Sequence, residues 1–252
     1  IGEVVHVNAD TDVYLMAALL HELDATERFN AEIIHQYGER IEELRTFIAN
    51  YSPERVASVV GISAAEIRQL AEDFADAGRA AVYMSTGVNM GRQGTIAYWL
   101  LFMLSFVSGN LDKPGGNIYS QGFYPAAKAG KSRNDNPFFE SAFGEMRKIR
   151  GSLPGNLMAD MILAEEDPVK ALVVISGNPI ISMGGGEKMQ RAFEQLEFIF
   201  VIDIYPNATA AYADYVLPAT DMYERKDINI CGLGLQQQPF VQYTDFIVPP
   251  KA

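Results

Sequence analysis

The chain has 252 residues, 48% hydrophobic and 21% charged, enough for one large domain or two modest ones with proper cores. Its 32 Asp and Glu against 20 Lys and Arg give a net charge of −12, which argues against general nucleic-acid binding but allows a locally held anionic ligand. A single cysteine excludes an internal disulfide framework, a Cys-rich zinc site and any complete iron–sulfur cluster built by this chain alone.

The first third reads as helices. Asp10 or Thr11 can cap a helix carrying Leu15, Ala18, Leu19 and Leu23 at helical spacing. A second helical stretch, Ala31 to Ile48, is expected to break near Gly38. Ser52-Pro53 is a cap with proline at the first helical position, where the missing N–H costs nothing. Ser63 to Glu66 has the form of a capping box, and Ile67, Leu70, Ala71 and Phe74 make one apolar stripe that Gly78 ends. His6, His21 and His35 all lie in this region and read as solvated or packed side chains rather than metal ligands.

The pattern then changes to apolar strands alternating with helices. Ala81 to Thr86 reads as a strand, followed by the loop Gly87 to Gly94 and a helix from Thr95 to Val107. The plan recurs at Ala171 to Ser176, the loop Gly177 to Gly186, and a helix from Glu187 to Leu196. Phe198 to Asp203 and Asp214 to Pro218 read as further strands, with a short helix near Thr209 to Tyr212 between them. Continuous apolar strands of this kind predict a mostly parallel Rossmann-like α/β sheet covered by helices on both faces and preceded by a helical segment. Gly109 to Gly155 is a long stretch rich in Gly, Pro, Asn and Ser, and the tail Tyr223 to Pro250 alternates weakly, as short strands would. The apolar run Tyr98 to Val107 is half the roughly 20 residues a bilayer span requires, so no direct membrane insertion is expected.

In open parallel sheets, ligands bind beyond the carboxyl ends of the strands. Three features collect there. Thr86, Gly87 and the glycines to Gly94 allow close approach to the backbone, before a helix whose first N–H groups suit a phosphate. Ser176-Gly-Asn-Pro179 combines a tight turn with a side chain that both donates and accepts. Asp203 ends a strand and can accept two hydrogen bonds from a ribose or a guanine edge. Each has a structural alternative: turn-forming glycines off the G-x-G-x-x-G spacing, a turn at Asn178-Pro179, a cap at Asp203. Together they indicate a nucleotide-like ligand whose identity composition and spacing leave open.

The ordered series of motifs goes further. Asp10-Thr-Asp12, Tyr51-Ser-Pro-Glu54, Val60-Gly-Ile62, Gly87-Val-Asn-Met-Gly91 and Ser108 through Gly116 are followed by Ser176-Gly-Asn-Pro179, Val201-Ile-Asp203, Ala213 through Pro218 and Glu224-Arg225. In this order and spacing the chain resembles the molybdopterin oxidoreductases typified by dimethyl sulfoxide reductases, formate dehydrogenases and periplasmic nitrate reductases. The resemblance runs almost end to end. It implies an internal fragment of an enzyme that holds a bis-(molybdopterin guanine dinucleotide) molybdenum cofactor and transfers oxygen atoms, or hydride and electrons, as in bacterial anaerobic respiration. Residues 1–79 would be the helical end of a first cofactor-binding domain. Residues 80–220 would form a second α/β domain holding the nucleotide part, and 221–252 would start a further, partly β segment.

By the same resemblance Thr86, Gly87 and Met90 line the cofactor, and Ser176, Gly177 and Asn178 surround the guanosine and phosphates. Ile202 and Asp203 read the nucleoside, and Arg225 stands near the phosphates. No residue here matches a molybdenum ligand, an acid, a base or a nucleophile of the family, and Cys231 reads as a structural or incidental thiol. A 4Fe–4S cluster would belong to a segment upstream, and the full enzyme would have a small-molecule substrate and an electron-transfer subunit as partners. The isolated chain is expected to be inactive, and a periplasmic or a cytoplasmic setting fits equally. Asn207-Ala-Thr209 departs from a more usual Thr-Glu-Thr, which makes Thr209 the expected helix cap. Two other readings stand beside this one: an autonomous Rossmann-type enzyme using NAD or a mononucleotide, and a non-catalytic scaffold derived from the family.

Overall fold

The computed structural model describes residues 2–120, 122–123, 138–141, 144–148, 152–228 and 236–250. The chain forms two compact units, Ile1–Ser120 and Gln121–Ala252. The boundary expected between residues 79 and 80 falls inside the first of them. Cys231 and, of the stretch from Gly109 to Gly155, residues 121, 124–137, 142–143 and 149–151 lie outside the described residues.

The first unit is helical. Helix α1 (Asp12–Ala25) is apolar on more than one side, and such a helix is stable only when surrounded. Accordingly α3 (Ile41–Ile48), α4 (Pro53–Val60), α5 (Ala64–Asp76) and the later helix α7 (Gly94–Val107) all pack against it. Ala17, Leu20 and Leu23 join Leu44, Ile48, Leu100 and Leu104 in one core, while Ala18 joins Val56, Val60 and Ile67 in another. The expected break near Gly38 is found: α2 (Ala31–Tyr37) ends there and α3 starts three residues on. His21 lies on α1, and its ring Nδ1–H donates to the Ile48 carbonyl at 3.1 Å, so it ties α1 to α3.

The caps follow the sequence with two exceptions, Thr11 and Thr209; Thr209 stands at the cap position of the turn over residues 210–212 but makes no side-chain cap hydrogen bond there. Ser63 and Glu66 form the reciprocal capping box of α5, and Ser52 caps α4 with Pro53 behind it. Thr11 occupies the cap position of α1, but its hydroxyl donates to the Asn8 carbonyl at 2.6 Å instead of accepting from the helix.

The run Ala81 to Thr86 is not a strand. Its backbone is bound by side chains: Asn117 accepts from the Val82 N–H at 2.9 Å and donates to the Val82 carbonyl at 2.7 Å, and Asn110 accepts from the Ala80 N–H at 3.3 Å. One carboxamide can satisfy both polar groups of a residue, but it cannot extend a ladder. The chain then turns into the short helix α6 (Thr86–Asn89), ahead of α7.

The second unit holds the parallel sheet. Strands β1 (Phe138–Ser141) and β2 (Gly144–Arg147) form an antiparallel hairpin that the composition of this stretch concealed. After helix α8 (Met158–Ile162) come β3 (Ala171–Ile175), the short α9 (Pro179–Ser182), α10 (Gly186–Gln195), β4 (Phe198–Asp203) and β5 (Tyr215–Pro218). The sheet order is β3-β4-β5, all parallel, with Val174 opposite Val201 and Val201 opposite Val216. In the tail, β6 (Asp227–Ile228) pairs antiparallel with β7 (Tyr243–Thr244), as the alternation suggested.

One face of this sheet is a core. Val174, Ile199 and Val201 pack with Met189, Ala192 and Phe193 of α10 and with Ala159 and Ile162 of α8. Burial of Phe193 alone contributes about 1.5–3 kcal/mol. The other face carries Val173, Ile175, Tyr215 and Leu217, which are 57%, 66%, 63% and 49% exposed. Both faces were expected to be covered, from the unbroken apolar strands; among the described residues, helices α8 and α10 pack against one of them.

Candidate functional site

Five of the residues singled out from the sequence gather at the carboxyl ends of β3 and β4. Ile175 lies opposite Ile202, and the next residue, Ser176, prolongs the ladder by donating its N–H to the Ile202 carbonyl at 2.9 Å. There the chain leaves the sheet through a left-handed conformation at Ser176, with φ of 53°. A non-glycine residue adopts it at a cost of about 1 kcal/mol. Such strain accumulates where a backbone is held for a purpose other than stability. The Ser176 side chain is exposed, and among the described residues its hydroxyl has no hydrogen-bond partner. A Cβ added to Gly177 would meet nothing closer than 3.6 Å, so the fold alone does not require glycine there.

Asn178 turns inward. Its Oδ1 accepts from the Thr209 N–H at 3.2 Å and from the Thr209 hydroxyl at 2.8 Å. Thr209 is fully buried and its Oγ1 in turn accepts from the Ile180 N–H at 3.3 Å. The Asn178 side chain therefore fixes the loop, and the donor and acceptor it was expected to offer a ligand are in part engaged within the protein.

Asp203 ends β4 half-buried, and its carboxylate already accepts three hydrogen bonds. Oδ1 takes the N–H groups of Ile204 and Tyr205 at 2.7 and 3.3 Å, and Oδ2 takes the Asn207 amide at 2.9 Å. A carboxylate has about four acceptor positions, so one stays unused. The sequence reading gave Asp203 two acceptor positions for a ligand; the three hydrogen bonds of the turn after β4 leave one position open.

Thr86, Gly87 and Met90 belong to the first unit. Thr86 opens α6, and Met90 follows it with 83% of its surface exposed. A Cβ at Gly87 would meet no atom within 4 Å. The other glycines of this loop have structural reasons: a Cβ at Gly91 would strike the Asp10 carboxylate, and one at Gly94 the Asn89 carbonyl. The Asp10 carboxylate also accepts from the Arg92 N–H at 3.2 Å and pairs with its guanidinium at 3.3 Å. Helix α7 starts without a side-chain cap at Gln93.

Arg225 stands ahead of β6, half-exposed, with its Nη2 and Nε 2.9 and 3.2 Å from one carboxylate oxygen of Asp227. Among the described contacts it is joined to Asp227 and not to the loops after β3 and β4. A cleft of about 600 Å³ in the first unit, lined by Phe47, Trp99, Phe102 and Tyr119 among others, includes none of the sequence-derived candidates. The residue that sequence reasoning underrated is Asn207, read there only as a departure from a motif. Its carboxamide reaches Asp203, Gly177, Thr209 and Ala210. Asn in a turn between two elements was the available signal.

Residues 5–252 match the family model for molybdopterin oxidoreductases. The chain belongs to the molybdopterin oxidoreductase family. It is 27% identical over 259 residues to the dimethyl sulfoxide/trimethylamine N-oxide reductase of Cereibacter sphaeroides, covering 92% of this chain and 31% of that protein. It is likewise 27% identical over 234 residues to formate dehydrogenase H of Escherichia coli, covering 86% and 33%. The nitrate reductase of Synechocystis is 26% identical, covering 87% and 33%. The chain thus spans about a third of the length of these relatives. Its fold is similar to that of acetylene hydratase from Pelobacter acetylenicus, with a TM-score of 0.76, 18% identity, and coverage of 97% of this chain and 37% of that one. Membership of this family implies a molybdenum–pterin cofactor. No described helix is long and apolar enough to cross a membrane.

Proposed function

We propose that this chain is the part of a molybdenum-dependent oxidoreductase that holds a guanosine-diphosphate end of a bis-(molybdopterin guanine dinucleotide) cofactor. The observation that carries the reading is the joined pair of loops after β3 and β4. Ser176 and Gly177 leave the sheet at its carboxyl edge, and Asp203 beside them keeps one acceptor position unused. The residues fit such a group: the space at Gly177 admits a close approach, and backbone donors with a carboxylate suit a nucleoside and its phosphates. As the family resemblance implies, Thr86, Gly87 and Met90 are assigned to the lining of the cofactor and Arg225 to a phosphate; Arg225 uses two of its N–H donors on Asp227 and keeps the others for such a ligand.

When bound, the cofactor supplies the redox chemistry, with molybdenum cycling between oxidation states while oxygen atoms or hydride equivalents are transferred. The residues of this chain bind and orient it. In this reading the molybdenum ligand, a 4Fe–4S cluster, the substrate pocket and an electron-transfer subunit lie with other segments of the enzyme, and the chain alone turns over no substrate. Titration calorimetry tests the reading: GDP binds, NAD does not, and Asp203→Asn weakens GDP binding at least several-fold. Equal or tighter binding of NAD would replace it with an autonomous dinucleotide enzyme. Absence of any nucleotide binding would favour a scaffold.

A further inference from the structure

Asn207 uses both ends of its side chain. The Nδ2 group donates to Asp203 Oδ2 at 2.9 Å and to the Gly177 carbonyl at 3.4 Å. The Oδ1 atom accepts from the N–H groups of Thr209 and Ala210, at 3.0 Å each. One planar group therefore joins the loop after β3, the end of β4 and the turn leading to β5. A hydroxyl at this position could cap the Thr209 turn but has one proton to give, and a carboxylate could cap it but has none. Only a carboxamide makes all four contacts.

Two consequences follow for Asp203. Its carboxylate cannot rotate without breaking the bond to Asn207, so its orientation is set before any ligand arrives. With Oδ1 occupied by Ile204 and Tyr205, and Oδ2 by Asn207, the last acceptor position is also placed by these three donors. Pre-placed polar groups bind more tightly because no ordering is left to be done on association.

We infer that Asn207 is a positioning residue for nucleoside recognition: it acts through Asp203, aims that carboxylate's single remaining acceptor at one O–H or N–H of the nucleoside, and locks Gly177 beside it. The inference rests on the proposed guanosine-diphosphate site, and its test separates the two. GDP affinity is measured by calorimetry for the 252-residue chain and its Asn207→Ser, Asp203→Ala and doubly substituted variants. Serine keeps an oxygen for the Thr209 turn, so the Asn207→Ser melting temperature stays close to the parent's.

The expected result is a loss of about tenfold in GDP affinity for Asn207→Ser, and less than about twofold further loss when the same change is made in Asp203→Ala, since contacting residues couple. A residue that merely supports the turn would weaken both backgrounds equally, and that outcome overturns the inference. Unchanged affinity in Asn207→Ser overturns it too. If the parent chain takes up no GDP, the nucleotide reading fails, and the positioning role is decided without ligand. The amide protons of Ile204 and Tyr205, which donate to Asp203, then exchange several-fold faster by NMR in Asn207→Ser if Asn207 holds that carboxylate. Unaltered exchange in that variant refutes the role.

Discussion

Asn178 and Thr209 stand 31 residues apart in sequence, yet the Asn178 side-chain Oδ1 accepts both the hydroxyl and the backbone N–H of Thr209, at 2.8 and 3.2 Å. This pair pins the loop after β3 to the turn after β4, so the two ends of the candidate site move as one piece. Thr209 itself is fully buried, where a polar group is stabilising only if its partners are complete.

Replacing Thr209 with valine keeps the shape and removes the hydroxyl, leaving the Ile180 N–H and one lone pair of Asn178 without that partner. The second unit should lose about 1–3 kcal/mol, the usual cost of stranding a buried polar group. Urea denaturation followed by circular dichroism measures it. A change below about 0.5 kcal/mol would mean that the pair has no structural weight.

Gly177 and Gly87 separate fold from ligand. An added methyl finds ordinary contacts at Gly177 and open space at Gly87, and neither glycine has a positive φ. Alanine at either position should therefore keep stability or raise it by about 0.5 kcal/mol through the unfolded state. The Gly177→Ala chain should nevertheless bind GDP more weakly, since the methyl occupies the approach to the backbone. Gly94→Ala, by contrast, should destabilise the first unit, because its methyl would collide with the Asn89 carbonyl. Thermal melts with calorimetry distinguish these cases. A Gly177→Ala chain that binds GDP as well as the parent would show that no ligand passes there.

The helical unit should weaken in acid in a way traceable to two exposed glutamates. The Glu66 carboxyl is held below the usual carboxylate range by the Ser63 hydroxyl and then by the Ser63 N–H. Glu54 is lowered by its hydrogen bond to Arg68, then by a backbone N–H. A carboxyl depressed in the folded state contributes stability above its ordinary value near 4.5, and that contribution is lost as pH falls through the folded value. Melting temperatures from pH 7 down to 3 should therefore fall less steeply for the Glu54→Gln, Glu66→Gln chain than for the parent, with a lower starting point at pH 7. Parallel curves would assign the acid response to other groups.

Much of this architecture could be read from the chain. Ser63 with Glu66, and Ser52 with Pro53, announce helices through local chemistry, and the apolar runs at Ala171, Phe198 and Tyr215 do become parallel strands. What escaped was decided by partners distant in sequence. Ala81 to Thr86 has the composition of a strand, but the backbone of its Val82 is partnered by the Asn117 side chain and that of Ala80 just before it by Asn110, rather than by another strand. The motif from Ser108 to Gly116 thus has a structural task that spacing could not reveal. The sequence marks Asp203 as a candidate, but how many of its acceptor positions remain depends on Asn207 and on the turn through Tyr205. A one-dimensional pattern identifies the carboxylate and leaves its neighbours' hydrogen bonds unspecified.

The proposed site for a guanosine diphosphate is formed by the loops after β3 and β4. An NMR titration of the isotopically labelled chain with GDP tests it most directly. Saturable shifts are expected in the backbone signals of Ser176, Gly177, Asn178, Asp203 and Ile204, and Asp203→Asn should diminish them. Saturable shifts elsewhere that leave these five residues unmoved would contradict it.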